Sequence, residues 1–225
     1  MGTITILDTT TKNPITLMGE RAGVCYDADI SNPEKNYQRG LDCIKSGHGR
    51  VMEFVNVEMI IKDFSARVIR EWYTHIGGAP TRLQSSTRYI GYNNFNYVVP
   101  PFIHNNPYIL KVYRDIMSHV NIAYQQLLDM DVPKEDAAMI LPLGMTTTIV
   151  DKRNLRNLVD MSRQRMCSRA YLEYRLLFEM ICRALSEYSD EWNTLVTILF
   201  HPKCEELRYC TEKESCGRMP QVKED

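Results

Sequence analysis

The segment His75–Tyr92, HIGGAPTRLQSSTRYIGY, gathers a histidine, hydroxyls at Thr81, Ser85, Ser86 and Thr87, and guanidinium groups at Arg82 and Arg88. Hydroxyls beside exposed backbone amides and an arginine make a cradle for phosphate oxygens. The run is not a nucleotide P-loop, because GGAPTRLQSS lacks the Gly-Lys-Ser/Thr end. Nor is it a dinucleotide fingerprint, because no strand–GxGxxG–helix order surrounds it. Ser86 reads as a hydrogen-bond donor to a ligand rather than a nucleophile, since neither an elbow-like turn nor a base accompanies it. A second set of cations lies downstream. In NLRNLVDMSRQRMCSRAYLEYRLLFEMICRAL, Arg156, Arg163, Arg165, Arg169, Arg175 and Arg183 interrupt an otherwise core-like pattern. Arg165 and Arg169 share a helix face, whereas Arg175 is rotated off it. Met161, Met166, Tyr171, Leu172 and Leu176 surround these arginines, so part of the charge is expected at a buried interface, where a guanidinium needs an anion. Glu173 and Glu179 are the internal candidates; a phosphate-bearing ligand is the external one.

The elements that must position these groups follow from periodicity and stop signals. TITIL reads as a first strand and residues 34–46 as a short helix stopped by Gly47. VMEFVNVEMII, residues 51–61, is β-branched and partly alternating, hence a strand. Asp63 or Ser65 caps a helix carrying Val68, Ile69, Trp72 and Tyr73, which runs to Gly77–Gly78. Trp72 is expected in the core. RYIGYNNFNYVVPP reads as a strand or hairpin ended by Pro100 and Pro101, in which Tyr89 and Tyr92 pack under a ligand or within a sheet. Residues 107–129 are amphipathic at helical spacing through Ile109, Tyr113, Ile116, Val120, Ala123 and Leu127. A short helix is expected at 133–141, and one long arginine-rich helix at about 152–188. The predicted class is α+β: a mixed or antiparallel sheet packed with helices, forming one domain over 1–225 with a cysteine-bearing tail at about 202–225.

Composition narrows the function. The chain has 225 residues and a formal net charge of −1, which argues against bulk binding to nucleic acid or a membrane surface. No apolar run reaches the ~18 residues of a membrane span, and the N-terminus lacks a signal-peptide layout. The seven cysteines are scattered and odd in number, which predicts reduced thiols in a cytoplasmic protein. Cys204, Cys210 and Cys216 recur at an interval of six, unlike the two-to-four-residue gaps of zinc ligand pairs, so no metal is expected. His104, His119 and His201 have no partner motif and read as ordinary residues.

Four segments together resemble the flavin-dependent thymidylate synthases: RAGVCYDAD; SGHGRVMEF; REWYTHIGGAPTRLQSSTRY; and LPLGMTTTIV with NLRNLVDMSRQRMCSRAYLEYR. The tail CEELRYCTEKESCGR is similar to one found in a subset of that family. The resemblance implies reductive methylation of dUMP to dTMP, with methylenetetrahydrofolate as carbon donor, NADPH as reductant and FAD as hydride carrier. It also implies a homotetramer with active sites between subunits and no cysteine nucleophile.

By the same resemblance, His48, Arg50, Thr74, His75, Ile76, Gln84, Arg163, Arg165 and Arg169 match FAD-contacting positions, with Glu53 in the His48 block. Glu71, Trp72, Tyr73, Thr74, Gln84, Ser85, Ser86, Thr87, Arg88, Thr148 and Arg175 match the dUMP site. Arg175 is the expected catalytic residue, its cation favouring negative charge on the uracil ring. The chain departs from the family pattern in several places. Thr74 and Ile76 stand where arginines flank the central histidine, the loop is two residues longer, and Leu83-Gln84 replaces Asn-Glu. Phe54 replaces a histidine and Thr148 an arginine. Arg82, Arg163 and Arg169 are expected to restore the missing charge. Two alternatives follow from these departures: another pyrimidine nucleotide such as UMP as substrate, or a nucleotide-binding paralogue without catalysis.

Overall fold

The computed structural model describes residues 2–221. The elements run β1 (Thr3–Ile6), α1 (Pro14–Val24), α2 (Pro33–Lys45), a 3-10 turn (Gly49–Phe54), β2 (Asn56–Ser65), α3 (Ala66–Trp72), β3 (Thr81–Gln84), α4 (Pro101–His104) and α5 (Pro107–Asp129). There follow α6 (Lys134–Ala137), a 3-10 turn (Ala138–Ile140), β4 (Thr146–Asn154), α7 (Leu155–Arg165), α8 (Leu172–Tyr188), α9 (Asp190–Leu199) and α10 (Lys203–Leu207). The strands form one antiparallel sheet in the order β1-β2-β4-β3. The class is therefore α+β, as the sequence predicts. No helix among the described residues is long and apolar enough to cross a membrane.

The described chain divides into two compact units. The first comprises residues 2–3, 61–74 and 82–150. Its core is built from Ile61, Val68, Ile69, Trp72, Tyr124 and Ile149, all nearly or fully buried. Ser65 caps α3 by accepting from Val68 N at 3.1 Å, and the amides of Ala66 and Arg67 bond to the Met145 and Leu143 carbonyls. Asn106 caps α5 by accepting from Tyr108 N and Ile109 N at 3.1 and 3.2 Å, with Pro107 preset for the first turn.

The second unit comprises residues 4–60, 75–81 and 151–221. Helices α1 and α2 pack closely because Gly19 and Gly40 carry no Cβ; one at either position would collide with the Asn36 or the Ile15 carbonyl. Trp192 on α9 is fully buried and its indole donates to the Thr11 carbonyl at 2.8 Å. Ser189 caps the same helix through Trp192 N.

Several expected elements are corrected. The strand predicted at 51–61 begins five residues later, because Gly49–Phe54 coils into the 3-10 turn. The segment 88–101 is not a hairpin. Apart from a single bridge from Tyr97 to Met145 it is irregular up to Pro101, where α4 begins, and the strand lies earlier, at β3. The predicted long arginine-rich helix is two helices preceded by a strand. At about 100° per residue, the buried stripe of Leu155, Leu158, Val159 and Ser162 and that of Tyr174, Leu177, Ile181 and Leu185 would lie about a quarter turn apart on one continuous helix. The irregular residues 166–171 turn both stripes inward. Replacing Trp192 with Ala removes a fully buried ring and its hydrogen bond; the expected loss is about 3–5 kcal/mol of unfolding free energy, measured by urea denaturation.

Candidate functional site

The residues singled out from the sequence fall in both units, and each set has its own geometry. In the first unit, Glu71, Trp72, Tyr73 and Thr74 lie at the end of α3. Thr74 Oγ1 donates to the Glu71 carbonyl at 2.7 Å, turning the chain out of the helix. Trp72 is fully buried and so belongs to the core. Arg82 lies over the Tyr73 ring, 4.4 Å from its centroid, and donates to the Tyr73 carbonyl at 2.9 Å. The serine turn is held to the sheet: Ser85 N donates to the Thr148 carbonyl at 2.9 Å, and Gln84 Nε2 to Thr147 Oγ1 at 3.3 Å. Ser86 Oγ accepts from Arg88 N at 3.2 Å, which closes the turn and leaves Thr87 and Arg88 exposed.

In the second unit, His75 is the centre of a cluster. Arg165 Nε donates to His75 Nε2 at 2.9 Å, and the Arg165 guanidinium lies over the Tyr174 ring at 4.7 Å. His75 meets the same ring edge-on at 6.3 Å. A guanidinium only donates, so His75 Nε2 carries the lone pair and the imidazole proton sits on Nδ1. Burial, and then the cations Arg165 and Arg153, hold the His75 pKa down to about 4. His75 is therefore a neutral donor, not a third cation. Its neighbour Ile76 is exposed.

The other arginines differ in their partners. Arg163 pairs with Asp160 at 3.1 Å and with Glu206, bonding through Nη2 at 3.1 Å; its Nε, 2.8 Å from the same carboxylate, is too poorly aligned for a hydrogen bond. Arg169 Nη1 bonds Glu214 at 3.2 Å. Arg175 Nε is buried and has no hydrogen-bond partner among the described residues. Of the three arginines expected to restore charge, Arg163 and Arg169 are thus neutralised by carboxylates of the tail, while Arg82 keeps neutral partners. His48 and Arg50 are exposed at the 3-10 turn. Beside that turn opens a cavity of about 480 Å³, lined among others by Gly47, Gly49, Met52, Arg156, Arg163 and Leu199. A larger groove of about 930 Å³, at Thr16, Lys35, Arg39 and Glu191, contains none of the candidate residues.

Sequence reasoning missed two contributors. Tyr174 carries no local motif, and its role as the platform for Arg165 depends on the break before α8. Arg156 was noted only as part of the arginine series, and it bonds Glu53 at 2.6 Å across 103 residues. The cysteines are free, and burial pushes the Cys182 thiol up to about 12, far from a nucleophile's range.

A family model described as thymidylate synthase complementing protein matches residues 5–189. A flavin-dependent thymidylate synthase of Nitratidesulfovibrio vulgaris is 31% identical over 189 residues, covering 79% of this chain and 74% of that protein. One from Thermococcus kodakarensis is 29% identical over 75% of this chain and 69% of its own length. One from Clostridium tetani is 24% identical over 95% of this chain and 92% of that protein.

The His75 geometry has a measurable consequence. Between pH 6.5, the ordinary imidazole value, and about 4, the unfolded chain binds a proton that the native chain refuses, so stability falls as pH drops through that window. In NMR titration the His75 ring stays neutral until the pH nears 4. His75→Gln flattens the acid-side loss of stability over the same range.

Proposed function

The chain belongs to the thymidylate synthase complementing protein family, and on that premise we propose that it methylates dUMP to dTMP, with methylenetetrahydrofolate as carbon donor, NADPH as reductant and FAD as the flavin. The observation that carries the reading is the neutral His75 held by Arg165 over Tyr174. It lies at the centre of the segment that bears the family's signature.

The residues present fit a flavin nucleotide. Arg175 Nε is a buried donor with no hydrogen-bond partner among the described residues, and Arg165 rests on the His75 lone pair and the Tyr174 face. We assign FAD to His48, Arg50, Thr74, His75, Ile76, Gln84, Arg163, Arg165 and Arg169. The dUMP site is assigned to Glu71, Tyr73, Thr74, Gln84, Ser85, Ser86, Thr87, Arg88, Thr148 and Arg175, with Trp72 as a core support. When bound, FAD supplies the two-electron hydride chemistry. The chain's own contribution is electrostatic. Arg165 and Arg175 favour negative charge on a bound ring, and His75 offers a hydrogen bond from Nδ1 without adding a charge. Ser86 and Arg88 receive the nucleotide phosphate.

A homotetramer with shared sites is supported by the apolar side chains of α5, where Tyr108, Val112, Ile116 and Ile122 are each more than half exposed. A reducing cytoplasmic setting is supported by seven free cysteines. The family match runs continuously through segments of both units, which supports a single domain.

The gene is expected to rescue a thymidine-requiring bacterial strain, and the purified protein to be yellow. Label from methylenetetrahydrofolate is expected in dTMP and not in a methylated UMP; transfer to UMP alone moves the substrate, and a colourless, inactive protein ends the reading. Arg175→Ala lowers turnover about 10²-fold or more with flavin retained. Near-normal turnover in that variant removes Arg175 from the chemistry.

A further inference from the structure

The turn that carries Ser86 and Arg88 is tied to the short helix α6 by two side chains. Arg88 Nε donates to Glu135 Oε2 at 2.8 Å, and Lys134 Nζ donates to the Tyr89 carbonyl at 3.2 Å. Both contacts lie within the first unit. Arg88 therefore already holds a carboxylate at the guanidinium assigned to the nucleotide phosphate. Its pair with Glu135 is exposed, with 65% and 54% of the two side chains open to solvent, so solvent screening weakens it. A phosphate dianion offers more charge and three acceptor oxygens to the same planar fork, so it is the stronger partner.

Position 148 matters here. The family resemblance expects an arginine there, and this chain has Thr148, whose carbonyl is engaged by Ser85 N. Arg82, the other cation of the lengthened loop, lies over Tyr73. Lys134 stands next to the turn, and its bond to Tyr89 is to a neutral carbonyl, so that contact leaves its charge uncancelled.

We propose that Glu135 and Lys134 are specificity-determining residues of the nucleotide site, a reading that rests on the dUMP assignment above. Glu135 competes with the 5′-phosphate for Arg88. Lys134 supplies the second cation once that exchange has occurred. A nucleoside without phosphate makes neither exchange, so Lys134 raises and Glu135 lowers the preference for a monophosphate over its nucleoside, and both effects fall with ionic strength.

The test is calorimetric titration of the full-length, flavin-loaded protein with dUMP and, separately, deoxyuridine. Glu135→Gln is expected to bind dUMP about two- to fivefold more tightly, and Lys134→Gln more weakly by a similar factor, with deoxyuridine unchanged in both. Raising the salt concentration shrinks the dUMP effects. Unchanged or weaker dUMP binding in Glu135→Gln overturns the inference, because the carboxylate is then idle or serves to orient Arg88. Equal changes for dUMP and deoxyuridine overturn it too, since phosphate is then not what is sensed. If the wild-type protein binds dUMP but the variants match it, the inference alone fails. If the wild-type protein binds no dUMP, the substrate reading fails and takes the inference with it.

Discussion

Asp151 and Arg153 stand two residues apart at the end of β4 with side chains fully closed to solvent. Arg153 Nε and Nη2 both donate to the Asp151 carboxylate at 2.6 Å, and Nη1 donates to Asn157 Oδ1 and contacts Met161 Sδ at the same distance. Desolvating both charges is costly, so such a pair persists only when its donors and acceptors are satisfied together. Asn157 and Met161 belong to α7. Satisfying the pair therefore fixes how α7 leaves the strand, and removing one partner would leave an unpaired buried charge at a cost of about 3–5 kcal/mol. Arg156, Arg163 and Arg165 are aimed by this strand–helix junction rather than by the axis of a long helix.

The same junction seats the histidine loop. Asn154 caps α7 by accepting from Asn157 N at 2.9 Å. A Cβ on Gly77 would come within 2.9 Å of Asn157 Nδ2, and one on Gly78 would collide with Asn154 Nδ2; Gly78 also has φ of +71°. The glycine pair lets backbone lie directly on the two asparagine amides. That contact places His75, two residues before Gly77, where Arg165 reaches it. Just beside His75 the structure thus shows a close backbone approach that bulkier residues at 77 and 78 would prevent.

This dependence explains what was legible in the sequence. Helix α5 could be read to the residue because its period, its asparagine cap and Pro107 are all local signals. The Ser65 cap and the Gly47 stop were readable for the same reason. Helix α1 was missed because Gly19 and Gly23 suppress its helical signal, although Gly19 serves close packing against α2. Strand β4 and the break after Arg165 were hidden inside an arginine-rich run whose individual residues tolerate helix. The phase shift of about 100° between Leu158 and Leu177 was the available sign. At the site, the histidine, the serine turn and the arginines were recognisable by type and order. Their partners were not: Glu206 lies 43 residues from Arg163 and Glu214 lies 45 from Arg169, and no local pattern links them.

Those distant partners sort the cations by availability. Arg163 and Arg169 each face a tail carboxylate, and Glu205 is itself engaged by Arg218 at 3.4 Å. Each of these exposed pairs contributes on the order of 1 kcal/mol or less, so none fixes the tail against a polyanion. A polyanion would exchange with Glu206 or Glu214 at little cost, and the released carboxylates would return to water. Arg165 is in a different position. It donates to the His75 lone pair and lies over the face of Tyr174, and these two contacts fix where its guanidinium sits. The arginines therefore differ in how they are held: Arg163 and Arg169 by exposed, exchangeable carboxylates of the tail, Arg165 in a fixed place against a histidine and an aromatic face.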